Sequence, residues 1–133
     1  MVLVDSSVWI DYFSTDRSTP QTEHLEQLVS TTPIVVGDLI LAEVLQGFRN
    51  DNDYKTARSL LENFEMATIS SVEIAIKSAD NYRLLRKKGL TVRKTIDCLI
   101  ATYCIENKIS LLHSDRDFDA FVKHLGLKLA LNS

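Results

Sequence analysis

Asp5, Glu43, Asp97 and Asp115 stand where a carboxylate is poorly explained as ordinary surface. Asp5 ends the apolar run Val2-Leu3-Val4, and Asp115 follows the apolar stretch from Ile109 to His113. Glu43 lies inside Leu39-Ile40-Leu41-Ala42-Glu43-Val44-Leu45, and Asp97 is the only charge between Lys94 and Glu106. A segment apolar on nearly all sides is buried, and a charge on it needs a partner. Carboxylates crowded together repel one another, so their pKa values rise unless a cation neutralises them. Hard divalent ions such as Mg²⁺ or Mn²⁺ prefer oxygen ligands. One or two of them, held by carboxylates, activate water for attack on a phosphodiester. Taken singly, an Asp after a strand is more often a helix cap, and Asp115 answers that description too.

Whether the acids meet depends on the elements that carry them. Leu3-Val4 closes a first strand, with Ser6 or Ser7 expected to cap the helix that follows. A polar helix spans about 21–30. Pro33 to Val36 reads as a second strand ended by Gly37, and Asp38 as the cap of a helix to about Phe48. Residues 53–64 read as a helix and Met66 to Ile69 as a third strand. Ser70-Ser71-Val72-Glu73 has the form of a capping box opening a long helix that ends near Gly89. Thr95 is expected to cap a helix to about Lys108. Ile109 to His113 is a fourth strand, Asp115 opens a short helix to Leu125, and 127–131 is a last strand or edge segment. Alternating strands and helices predict an α/β fold, a three-layer α/β/α sandwich around a mostly parallel sheet of four to five strands. In such a sheet, ligands bind outside the carboxyl ends of the strands. All four acids belong to strand ends or helix beginnings, so all four are expected at that one edge.

Composition sets the class. The chain has 133 residues, 45% hydrophobic and 25% charged, the balance of an ordinary globular protein, and reads as one domain over 1–133. No run approaches the roughly 18 apolar residues of a membrane span. The start of the chain has no basic segment before its short apolar run, so a cytoplasmic location is expected. Cys98 and Cys104 lie six residues apart in one predicted helix, about 120° around its axis, and are expected to be reduced core residues. No Gly-rich phosphate loop and no G-x-S-x-G is present, and His24, His113 and His124 form no triad pattern.

With these residues in view, the chain resembles the PIN-domain family. Val2-Leu3-Val4-Asp5-Ser6-Ser7-Val8-Trp9-Ile10 is similar to its opening motif, Leu41-Ala42-Glu43-Val44 to its second, Asp97-Cys98-Leu99-Ile100-Ala101 to its third, and Leu111-Leu112-His113-Ser114-Asp115-Arg116-Asp117-Phe118 to its fourth. The motifs come in the family's order and span nearly the whole chain. The size and the Asp-Ser-Ser-Val-Trp-Ile opening most resemble the VapC-type toxins of toxin–antitoxin pairs. The resemblance implies a Mg²⁺- or Mn²⁺-dependent ribonuclease, usually homodimeric, that is held inactive by a VapB-type antitoxin. It implies that Asp5, Glu43, Asp97 and Asp115 carry the metal site, with Ser6 as the hydroxyl that positions a water or phosphate. Many members carry Thr two residues before the fourth acid, where this chain has His113; Ser114 offers a hydroxyl in a shifted register. The strand-end position favours Asp115 over Asp117, which is then a supporting acid.

Residues 83–94 hold six bases and no acid, although the net charge of the chain is −3. Arg86, Lys87, Arg93 and Lys94 are candidates for RNA phosphates; bases in the last turn of a helix also serve its dipole without any ligand. Trp9, Tyr12 and Phe13 are expected in the core rather than on a partner surface. Two alternatives remain at this level. A receiver-like Mg²⁺-binding signalling module requires paired acids after strand one and a Lys after a late strand, which the chain does not offer. A non-cleaving PIN-like scaffold that binds RNA or a partner would keep the fold without the chemistry.

Overall fold

The computed structural model describes residues 1–14 and 16–131. In chain order it runs β1 (Val2–Val4), α1 (Ser6–Phe13), α2 (Pro20–Val29), β2 (Ile34–Gly37), α3 (Asp38–Gln46), α4 (Asp51–Leu61), β3 (Glu65–Ala67), α5 (Val72–Lys87), α6 (Thr95–Asn107), β4 (Ser110–Leu112), a 3₁₀ turn (Arg116–Phe118) and α7 (Asp119–Leu125). The strands form one parallel sheet in the order β3-β2-β1-β4. Every residue of β1 and β2 is buried, as parallel strands covered on both faces must be. The helices pack in two groups, α1 to α4 and α5 to α7, which are the outer layers of the expected sandwich. The predicted last strand contributes only one parallel bridge, Leu111 to Leu129, so the sheet stays at four strands.

Topology decides where the site lies. From β1 the chain moves outward through β2 to β3, then crosses to the opposite side of β1 for β4. The strand order therefore reverses between β1 and β4, and a crevice opens at their carboxyl ends. The backbone closes that point firmly: the Asp5 N–H donates to the Leu112 carbonyl at 2.9 Å.

The cores of the elements follow the apolar pattern. Trp9, Leu3, Ile100, Leu111, Phe118 and Phe121 are fully buried, and Trp9 sits among Tyr12, Phe13 and Phe64 with ring centroids 5.6–5.9 Å away. Cys98 and Cys104 are buried free thiols, as their spacing predicts. Among the described residues no helix is long and apolar enough to cross a membrane.

The caps differ from expectation in an informative way. Asp5 itself, not Ser6 or Ser7, caps α1, and Gly37 rather than Asp38 precedes α3. Asp38 instead accepts the Ile69 N–H at 2.8 Å, tying the end of β3 to the start of α3. Gly37 is required there, because a Cβ would lie 2.7 Å from the Ile69 side chain. Helix α5 is capped by Ser71, whose hydroxyl accepts from the Ile74 N–H; the cap falls one residue later than the predicted box, and with Ile74 at the third helical position there is no polar side chain to complete a box. Lys94, with no side-chain bond to the helix, takes the cap position expected of Thr95.

Candidate metal centre

Each acid reaches the crevice by a different local device. Asp5 is the N-cap of α1, and a cap uses one carboxylate oxygen. Its Oδ2 accepts from the Ser7 N–H at 3.2 Å and from the Ser7 hydroxyl at 2.7 Å, which leaves Oδ1 buried without a hydrogen-bond partner among the described residues. Asp115 repeats the arrangement after β4: its Oδ1 accepts from the Asp117 N–H at 3.0 Å at the start of the 3₁₀ turn. Capping and ligation are therefore not rival roles. The cap fixes the carboxylate and leaves its second oxygen for other work.

Asp97 lies in the first turn of α6, buried, and its Oδ2 is also without a partner. One oxygen each from Asp97, Asp115 and Asp117 lie within 4.8 Å of one another. The structure therefore brings Asp117 into the group beside Asp115, where the sequence reading had to rank one above the other. Glu43, in the second turn of α3, is half-buried and accepts from the Ser6 hydroxyl at 3.4 Å. Asp5 and Glu43 stand outside the 4.8 Å group but share its field.

That field is visible in the protonation equilibria. Burial, and then the charge of Asp5 ahead of those of Asp115 and Asp117, pushes the Asp97 carboxyl up to about 7. Burial raises Asp5 as well, against the opposing hydrogen bonds from Ser7. Burial and the charge of Asp5 raise Glu43. Three carboxyls held above their ordinary range at one sheet edge are a site of concentrated negative potential. Buried carboxylate oxygens without donors among the described residues, in that potential, suit a hard divalent cation and are poorly matched to any anionic ligand. The donor set therefore fits Mg²⁺ or Mn²⁺.

The bases divide between two places. Lys94 opposes the rise at both Asp97 and Glu43, so its charge reaches the acids. Arg93 donates to Asp117 at 3.0 Å. Arg86 does not face this site. It lies over the Tyr82 ring, 5.6 Å from its centroid, at a cleft of about 450 Å³ between α5 and α6. That cleft is lined by Thr95, Cys98 and Leu99, about half a turn of α6 away from Asp97. Lys87 is exposed in the last turn of α5, where it complements the helix dipole.

Two residues were overlooked at the sequence level. Ser7, rather than Ser6, holds Asp5, and its hydroxyl also accepts from the Ser114 N–H at 3.3 Å, which joins the loops after β1 and β4. The signal was available: an Asp cap bonds to the second residue of its helix. Ser114 contributes this backbone N–H and is itself exposed. The second overlooked residue is His113, whose Nδ1 accepts from the Asp115 N–H at 3.1 Å.

Known proteins share this arrangement of chain. The PIN domain family model matches residues 2–123. Ribonuclease VapC11 from Mycobacterium tuberculosis is 31% identical over 132 residues, 98% of each chain, and a VapC ribonuclease of Mycobacterium bovis matches equally. The same fold occurs in the structure of VapBC2 from Rickettsia felis bound to a DNA fragment from its promoter, with a TM-score of 0.74, 19% identity and full coverage of both chains. VapBC-1 from nontypeable Haemophilus influenzae gives 0.71 and 19%, covering 97% of this chain and 96% of that one. With the family's acidic motifs in order and its model matched over almost the whole length, the chain belongs to the PIN-domain family, alongside the VapC ribonucleases.

Proposed function

We propose that this protein is a divalent-metal-dependent endoribonuclease, the toxin of a type II toxin–antitoxin pair, formed by one domain over 1–133. The observation that carries the reading is the group of Asp97, Asp115 and Asp117 oxygens within 4.8 Å, beside buried oxygens of Asp5 and Asp97 that have no donor among the described residues. Asp5, Glu43, Asp97 and Asp115 are the catalytic, metal-holding acids, with Asp117 completing the group and Ser6 and Ser114 at its margin. A Mg²⁺ or Mn²⁺ ion bound there supplies Lewis acidity toward a phosphodiester and toward the attacking water.

The chain's own residues do the rest. Ser7 and the 3₁₀ turn hold Asp5 and Asp115 in one orientation each, which keeps the negative potential concentrated at the crevice. Lys94 moderates that potential and presents a positive charge at its rim, where a phosphate of RNA would arrive. Arg93, paired to Asp117, is the second phosphate contact on this side. The VapC names of the relatives and the VapBC complexes among the structural neighbours support a VapB-type antitoxin as partner; a homodimer as the assembly and the cytoplasm as the setting belong to the same reading.

Purified protein incubated with RNA tests the reading. Cleavage is expected with Mg²⁺ or Mn²⁺, and is expected to stop with a chelator and with Asp5→Asn or Asp97→Asn. Cleavage that survives both substitutions places the chemistry elsewhere. RNA binding without cleavage by the native protein makes it a non-cleaving scaffold.

A further inference from the structure

We propose that His113 is a positioning residue that aims Asp115 into the acid group through its ring Nδ1; the inference rests on reading that group as a cation site. After β4 the chain must turn so that Asp115 meets Asp97, and the turn is held by side chains. The Ser114 N–H donates to Ser7, the Asp117 N–H to Asp115, and the Asp115 N–H to His113 Nδ1 at 3.1 Å. A side-chain acceptor that takes the N–H two residues ahead is the bond an Asx or Ser/Thr turn makes. Imidazole Nδ1 stands as many bonds from Cα as the Oδ1 of Asn, so His113 can supply that acceptor from the position two residues before Asp115.

The ring is fixed for this work. It packs against Phe118, which is fully buried, with centroids 4.9 Å apart. Because Nδ1 accepts a hydrogen bond, its lone pair is engaged and Nε2 carries the ring proton. Nε2 is buried and makes no hydrogen bond among the described residues. The imidazole therefore has no free lone pair with which to bind a cation or take a proton from water. The hydrogen bond it makes is spent on the backbone of an acid whose oxygen lies within 4.8 Å of those of Asp97 and Asp117.

The test is Mn²⁺ binding, followed by electron paramagnetic resonance on the full chain, for the native protein and for His113→Asn, His113→Gln and His113→Leu. Asn keeps an acceptor at the Nδ1 place, and its Kd is expected within about threefold of native. Gln displaces the acceptor and Leu removes it, and both are expected to weaken Mn²⁺ by about tenfold or more. A packing role alone predicts the opposite order, with Leu best tolerated against Phe118. Native-like Mn²⁺ binding by Leu, or equal loss in Asn and Leu, overturns the inference. Thermal melts of the metal-free variants show whether each folds; should Leu fail to fold, the Asn and Gln pair decides. Failure of the native protein to bind Mn²⁺ sinks the cation site itself, a different result from equal binding by native protein and all three variants.

Discussion

Two regions of this molecule bury polar groups, and they treat them in opposite ways. In the seam between α5 and α6, the buried polar groups are partnered: the Asn81 amide donates to the Thr102 hydroxyl at 3.0 Å, and the Cys98 thiol donates to the Ser78 backbone carbonyl at 3.2 Å. At the crevice between β1 and β4, Asp5 and Asp97 are also buried, yet each keeps an oxygen with no donor among the described residues. A polar group buried and satisfied is part of the packing, and costs stability when its partner is removed. A carboxylate buried, unsatisfied and surrounded by other carboxylates is held against its own stability, and structures retain such strain where function requires it.

The largest expected effect sets the two regions apart. Asp97→Asn is expected to lower the rate of RNA cleavage by about a thousandfold, ~4 kcal/mol of barrier, while Thr102→Val leaves that rate within about twofold, an activation difference below ~0.5 kcal/mol. Measured cleavage rates at saturating Mg²⁺ decide it. A comparable loss in Thr102→Val would mean that the seam belongs to the active site.

Stability is expected to move the other way. Thr102→Val strands the Asn81 amide and is expected to cost about 1–2 kcal/mol in urea unfolding. Asp97→Asn is expected to stabilise the metal-free protein at pH 8 by about 1–2 kcal/mol after solvent screening. The sign follows from proton binding. Folded Asp97 holds its proton up to about 7 against an ordinary value of 3.8, so protonation contributes stability that is fully present below 3.8 and is lost as the pH rises through about 7. The gap between native and variant should open over that window, close at lower pH, and shrink when Mg²⁺ is added. A gap that does not vary with pH would show that Asp97 is not titrating in the fold.

The smallest effect sharpens the division of the bases. Lys94→Ala is expected to raise KM for RNA about threefold and to reduce the salt slope of binding by about one unit. Arg86→Ala, at the cleft on the far side of α6, is expected to leave both unchanged. Equal effects from the two would show that RNA reaches both faces of α6.

How much of this was legible varies by element. The strands carrying Asp5 and Asp115 were plain, because fully buried parallel strands are short apolar runs. Asp97 was plain because α6 is apolar around its whole circumference and offers no other reason for a charge. The caps were less so. Ser6 and Ser7 are chemically identical in the sequence; once Asp5 is known to be the cap, local helix geometry assigns it Ser7, whereas the bond of Ser6 to Glu43, 37 residues away, is visible only in the fold. Arg86 and Lys94 fall in one basic run, yet helical rotation and the loop between α5 and α6 send them to different faces.

Residue chemistry and periodicity by themselves determined the fold class, the identity of the acids and the sheet edge they share. They do so because burial pattern and strand–helix alternation are local properties. The proximity of Asp117 to Asp97, the burial of an Asp5 oxygen away from any donor among the described residues and the bond from the Ser114 N–H to Ser7 were decided only by tertiary structure. Each of those depends on which way a side chain turns when separate segments meet, and that direction is set by contacts between residues far apart along the chain.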